Sequence, residues 1–257
     1  MKEVEPDNDE LFKKAYNLKK NELFKFYIEF NKNCNNNDEE CKGIEIPDSL
    51  KTNNYLSKLY LKYIRNIKNI KTENFSKFKS INQGNNIEQR CIYLKYWIYD
   101  IISNNVTEDK YISTFLDSCN SEKNLIFSDN NCPCEFYNMN LNDIKYMRKL
   151  YAYYMLFDIY KKNNISGDFD KNGIYCYYLN KFMDIYEKKK ESCIADVNNN
   201  CCKEFNKYIK ENVNDTTLSS INNYCKGDKI NKLFNAKSEN LNQSDYRKAS
   251  EKVYFNF

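Results

Sequence analysis

The stretch Leu141-Asn-Asp-Ile-Lys-Tyr-Met-Arg-Lys-Leu-Tyr-Ala-Tyr-Tyr-Met-Leu-Phe-Asp-Ile-Tyr160 decides the fold. Ile144, Met147, Leu150, Tyr151 and Tyr154 recur at intervals of three and four, which puts them on one face of a helix. Lys161-Lys162 follow, where cations complement the C-terminal end of the helix dipole. The same spacing extends outward in both directions. Downstream, Ile174 to Lys190 turns Cys176, Leu179, Phe182, Met183 and Tyr186 inward, and short helices are expected around Phe205 to Ile209 and Leu218 to Tyr224. Upstream, Leu11 to Phe30 is helical with Asp9 as its cap, and Pro47-Asp48 opens one helix running through Ile70. Ile87 to Ile102, capped by Asn85 or Asn86, turns Cys91, Leu94, Ile98 and Ile101 inward with Trp97 beside them. Thr107 is placed to cap the next, with Glu108 and Asp109 in its first turn and Tyr111, Ile112, Phe115 and Cys119 facing in. Asn120 to Phe136 reads as a loop, and Asn163 to Gly173 as a turn-rich break.

Composition agrees with helices. Only 5 Gly and 3 Pro interrupt 257 residues. The apolar set is unusual, with 23 Tyr, 16 Phe and 1 Trp. Tyrosine packs through its ring while its hydroxyl stays polar, so a mean hydropathy of −0.84 is compatible with a packed core. No fixed-period repeat and no Gly/Ser or Pro linker divides the chain. The expected fold class is therefore all-α, a disulfide-stapled multi-helix bundle in a single domain. Residues 1–228 are the helical unit, and 229–257 a C-terminal extension, either stalk or last helix.

Charge excludes some partners. The net +4 is spread over 40 basic and 36 acidic residues, with Lys alternating with Glu and Asp. Nucleic-acid binders carry one-sided basic clusters, so no nucleic-acid partner is expected. No run of 18 apolar residues is present, and Met1 to Glu10 is acidic without an apolar core. Membrane attachment is expected only through a segment absent from this chain.

Catalytic chemistry is short of parts. The chain has no histidine, which removes Ser-His-Asp and Cys-His nucleophiles, His-based acid/base work and HExxH metal sites. Neither GxxxxGK[ST] nor GxGxxG occurs. Cys132-x-Cys134 and Cys201-Cys202 lack the two-residue gap of zinc knuckles. The reading is no enzyme, no cofactor and no metal.

The 11 cysteines point to an oxidising compartment. Five bridges and one leftover thiol is the simplest arithmetic; the pairing itself does not follow from sequence. Candidates for bridges are Cys34, Cys41, Cys119, Cys132, Cys134, Cys176, Cys193, Cys201, Cys202 and Cys225. Cys91, inside an apolar stretch, is the expected free thiol, since a buried thiol behaves as a small hydrophobe. Sequons at Asn74, Asn105, Asn164, Asn214 and Asn242 support exposure weakly in so Asn-rich a chain.

Three segments resemble the Plasmodium interspersed repeat (PIR) superfamily, called VIR in its vivax branch. Arg90-Cys91-Ile92-Tyr93-Leu94-Lys95-Tyr96-Trp97-Ile98-Tyr99-Asp100 is similar to that family's Cys-x-x-Leu-x-x-Trp-Leu-x-Asp helix. Arg148-Lys149-Leu150-Tyr151-Ala152-Tyr153 resembles its Lys-Leu-Tyr-Asp-Tyr helix. Cys176-Tyr177-Tyr178-Leu179 through Tyr186 to Cys193, then Cys201 and Phe205, resembles its Cys-x-Tyr stretch with trailing cysteines. The resemblance marks Trp97, Asp100, Leu150 and Tyr151 as core motif positions. It implies the ectodomain of a variant surface antigen, exported to the surface of the infected erythrocyte and acting in adhesion and immune evasion. Its partner would be a host cell-surface protein or an antibody. Loops at Asn35 to Gly43, Asn120 to Pro133 and Asn163 to Asn172 are the expected partner-facing surface. The rival reading is an intracellular helical scaffold in parasite protein trafficking, with its cysteines reduced.

Overall fold

The computed structural model describes residues 22–34, 41–72, 87–127, 134–163 and 174–213, together with 216, 218, 219, 223 and 225. In chain order these form α1 (Glu22–Asn31), α2 (Asp48–Lys51), α3 (Asn54–Thr72), α4 (Ile87–Asn105), α5 (Asp109–Ile126), α6 (Leu141–Asn163), α7 (Ile174–Ala195) and α8 (Asn200–Tyr208), then a 3₁₀ turn at Lys210–Asn212. No strand occurs among the described residues. The molecule is an all-α, disulfide-stapled bundle.

α4 is the axis. Every residue from Arg90 to Asp100 is buried, so this helix is covered on all sides, as a central helix must be. α6 lies along it most extensively, α7 packs on the far side of α6, and α3 pairs with α5. α1 crosses α4 and α3, while α8 closes over α6 and α7. The large rings meet at these contacts. Phe26 packs on Tyr93, Phe30 on Trp97, Phe157 on Phe182 and Tyr186 on Phe205, with centroids 5.0, 5.8, 5.1 and 5.4 Å apart. Each such side chain fully buried contributes about 1.5–3 kcal/mol.

Polar side chains close the helix ends. Asn53 accepts from the main-chain N–H groups of Tyr55 and Leu56, both at 3.1 Å, and so starts α3. Asn140 accepts from Asp143 N–H at 3.0 Å to start α6, and Asn199 accepts from Cys201 N–H at 2.8 Å to start α8. At the end of α1, Arg65 and Asn66 of α3 donate to the main-chain oxygens of Glu29 and Phe30, each at 3.0 Å. The Glu29 carbonyl also accepts from Lys32 N–H at 3.2 Å, and the side chains from α3 complete the hydrogen bonding at the end of α1.

Three expectations change. The helix expected from Asp48 through Ile70 is two, because Asn53 takes the cap position and breaks the chain direction after Thr52. Thr107 does not cap α5: that position belongs to Glu108, and Asp109 Oδ1 accepts from Leu141 N–H at 2.8 Å, serving the start of α6. The loop expected from Asn120 to Phe136 begins as helix through Ile126, with Lys71 donating to the Ile126 carbonyl. Asn85, Asn86, the segment Leu11 to Asn21 and the extension 229–257 lie outside the described residues.

Candidate functional site

Lys95 and Tyr99 stand one turn apart on α4 and face α8, which supplies Glu204. Lys95 and Glu204 side chains are both 0% exposed. The ammonium donates to the two Glu204 oxygens at 2.9 and 2.8 Å and to the Glu135 carbonyl, and sits 4.0 Å from the Tyr208 ring centroid and 4.6 Å from that of Phe136. Tyr99 and Tyr151 hydroxyls donate to Glu204 Oε1 at 3.1 and 2.6 Å. Every charge is thus paired and hydrogen-bonded, the condition under which buried ions are tolerated. Burial pulls Lys95 down to about 8 against the pull of Glu204. Burial, reinforced by the Glu204 charge, holds the Tyr99 and Tyr151 hydroxyls well above their ordinary value of 10.0. A group that does chemistry must reach a substrate; this pair reaches only protein. It is a structural node that ties α4, α6, α8 and the 134–140 segment together.

A second node surrounds Asp100. Tyr27 donates to Oδ2 at 2.5 Å and Arg148 Nε to Oδ1 at 2.6 Å, so one carboxylate holds α1 and α6 against α4. Burial and the Asp100 charge raise the Tyr27 hydroxyl. Trp97 Nε1 donates to Asn31 at 3.1 Å. The motif positions therefore converge: Trp97 and Asp100 on α1, Asp100 on α6 through Arg148, Tyr151 on α8, with Leu150 fully buried between them. They build the core and offer no binding surface. Lys95 and Glu204 had no role assigned from sequence. The available signal was a lone lysine inside the otherwise apolar run Cys91 to Ile98.

The cysteines form a frame. Bridges join Cys34 to Cys41, Cys91 to Cys134, Cys176 to Cys225 and Cys193 to Cys202. Cys91 is not the free thiol expected: its face of α4 meets the segment after α5, where Cys134 waits. Burial alone does not separate a thiol from a half-cystine. Cys119 and Cys201 instead carry buried thiols. Cys119 lies mid-helix because α5 runs on to Ile126, and burial raises its thiol. Cys201 adjoins Cys202, which has taken Cys193; burial pushes its thiol up to about 11. Cys132 lies outside the described residues, as do 35–40, 128–133 and 164–172 of the partner-facing loops. Asn120, expected in such a loop, is a helix residue whose amide exchanges two hydrogen bonds with the Phe136 backbone at 2.6 and 2.8 Å.

No group of three or more His, Cys, Asp or Glu among the described residues could hold a metal ion. None of their helices is long and apolar enough to cross a membrane. Residues 19–254 match the model of the Plasmodium vivax Vir protein family. The chain belongs to the Vir family. No curated protein and no solved structure matches it significantly. The three motif segments all fall inside the span that makes this a Vir protein, and the nodes at Glu204 and Asp100 are how its helices are held. Vir membership points to a variant surface antigen of Plasmodium, from a family not known for enzymes.

Proposed function

We propose that this Vir protein is displayed on the infected erythrocyte and acts there in adhesion to a host cell-surface protein and in evasion of antibodies. The observation that carries the reading is the family match over residues 19–254. The physical design supports it. Bridges and buried ion pairs place specificity of folding in the interior, so exposed positions contribute little to stability and are open to variation. Ile194, in the last turn of α7, and Val197, in the turn that follows, are 76% and 59% exposed within the stretch closed by the Cys193–Cys202 bridge, the kind of accessible tip that antibodies and receptors contact.

Antibodies raised against the folded protein test this on infected erythrocytes. Surface display predicts staining of intact cells that brief external trypsin removes. Staining that needs permeabilisation would favour the intracellular scaffold and reject display.

A further inference from the structure

The mixing of charge that holds along the chain fails on α3. From Asn54 to Thr72 this helix carries Lys58, Lys62, Arg65, Lys68 and Lys71 and no acid, in a chain where 36 of 257 residues are acidic. Packing divides these cations. Tyr60 and Tyr63 face α5, donating to Glu122 at 3.4 Å and to the Cys119 carbonyl at 3.0 Å, and Lys71 donates to the Ile126 carbonyl at the end of α5. At 3.6 residues per turn Lys58 lies nearly opposite Tyr60, Lys62 follows one turn on, and Lys68 lies less than a quarter-turn round the axis from Lys58. The three run for about 15 Å along the side of α3 turned away from α5. None of them has an ion pair among the described residues. Burial alone draws the Lys62 amine below its ordinary value, and no carboxylate pulls it back. Glu29, which α1 brings to this helix, is already shared by Arg65 at 2.6 Å and by Lys32. The surplus positive charge is therefore local and uncompensated.

A straight row of lysines selects among anions. Ammonium groups are compact, hydrated point charges with three donors each, whereas guanidinium forks grip carboxylate or phosphate two oxygens at a time, and the one arginine here is committed to Glu29. Single-stranded nucleic acid is held by aromatic side chains on which successive bases stack, and this helix exposes one large ring, Tyr55. A membrane surface calls for apolar side chains to insert, and beyond Tyr55 only the half-buried Leu61 is offered. A linear polysaccharide with repeated sulfates needs none of these: it lies along a row of hydrated cations and gains by releasing its counterions. We propose that the Lys58–Lys62–Lys68 face of α3 binds a sulfated glycosaminoglycan chain. The inference rests on the charge and geometry of α3, not on where the protein is displayed, and is tested on the isolated chain.

The probe is a size-defined heparin oligosaccharide, titrated at low and physiological salt against the whole protein. Saturable binding that weakens with salt is expected. A hyaluronan oligosaccharide of equal length, which has carboxylates and no sulfate, a poly-glutamate peptide and a short DNA strand should each bind at least tenfold more weakly. The variant K58Q/K62Q/K68Q should melt with the wild type, bind heparin at least tenfold more weakly and show a shallower salt dependence. K58Q alone, at the most exposed of the three positions, should lose at least twofold and serves as the comparison if the triple variant is less stable. K188Q/K190Q/K203Q removes the same charge from α7 and α8 and should leave binding within twofold. Absence of saturable binding, equal binding by any of the three other anions, unchanged affinity in the α3 variants, or equal loss in the remote variant would each overturn the proposal.

Discussion

At the Lys95–Glu204 pair, each ion replaces the water that the other has lost. Removing one partner leaves a buried charge without compensation, which costs about 3–5 kcal/mol. Lys95→Met should therefore lower stability by that order, measured by urea unfolding. The double variant K95M/E204Q should be less destabilised than the two single variants summed, because neither leaves an orphan charge in the other's presence. The tyrosines add a pH dependence. Tyr99 and Tyr151 are held protonated in the fold well above the unfolded value of 10.0. Their contribution is whole below pH 10 and is lost as the pH rises above it, when unfolded tyrosines ionise and folded ones do not. Lys95 has the opposite sign: held down to about 8 from 10.5, it disfavours the fold below that pH and ceases to do so as pH rises through the interval. Unfolding midpoints from pH 7 to 11 should rise slightly between about 8 and 10 and then fall; in K95M the rise should vanish while the fall remains.

Elements are set by a few local contests between side chain and backbone. Leu141 to Tyr160 was legible in the sequence because Ile144, Met147, Leu150, Tyr151 and Tyr154 hold one face for about three turns and Lys161-Lys162 suit its C-terminal end. The break between α2 and α3 was not, because no Gly or Pro lies between Pro47 and Leu56 to mark it. The pattern is blind to the Asn53 amide that ends one helix and begins another. α5 hid its last turns for the opposite reason. Ser121, Glu122, Lys123 and Asn124 look like loop by composition, yet the helix is fastened by groups distant in sequence: Asn120 within it bonds the Phe136 backbone, and Lys71 of α3 donates to the Ile126 carbonyl. Asn120→Ala should leave the Phe136 backbone buried without partners and cost about 1–3 kcal/mol in urea melts. Asn53→Ala should cost about 1 kcal/mol, the ordinary value of an N-cap.

For the whole molecule, the fold class was legible and the pairing within it was not. Cys91 and Cys134 are 43 residues apart in sequence, and only the docking of the 134–140 segment on α4 brings them together. The polar nodes were invisible for a similar reason: Lys95 and Glu204 are 109 residues apart, and nothing local marks either as the other's partner. Constraint of the unfolded chain grows slowly with the loop closed, so bridges stabilise by ~2–4 kcal/mol each. C91A/C134A should lower stability more than C34A/C41A, which spans only 7 residues. The claim on which the account rests is that covalent frame. Peptide mass mapping of native protein, alkylated without reductant, tests it directly. The account predicts Cys34–Cys41, Cys91–Cys134, Cys176–Cys225 and Cys193–Cys202 as linked peptides, with Cys119 and Cys201 unlinked and alkylated only after unfolding; Cys91 recovered as a thiol, or most cysteines reduced, would contradict it.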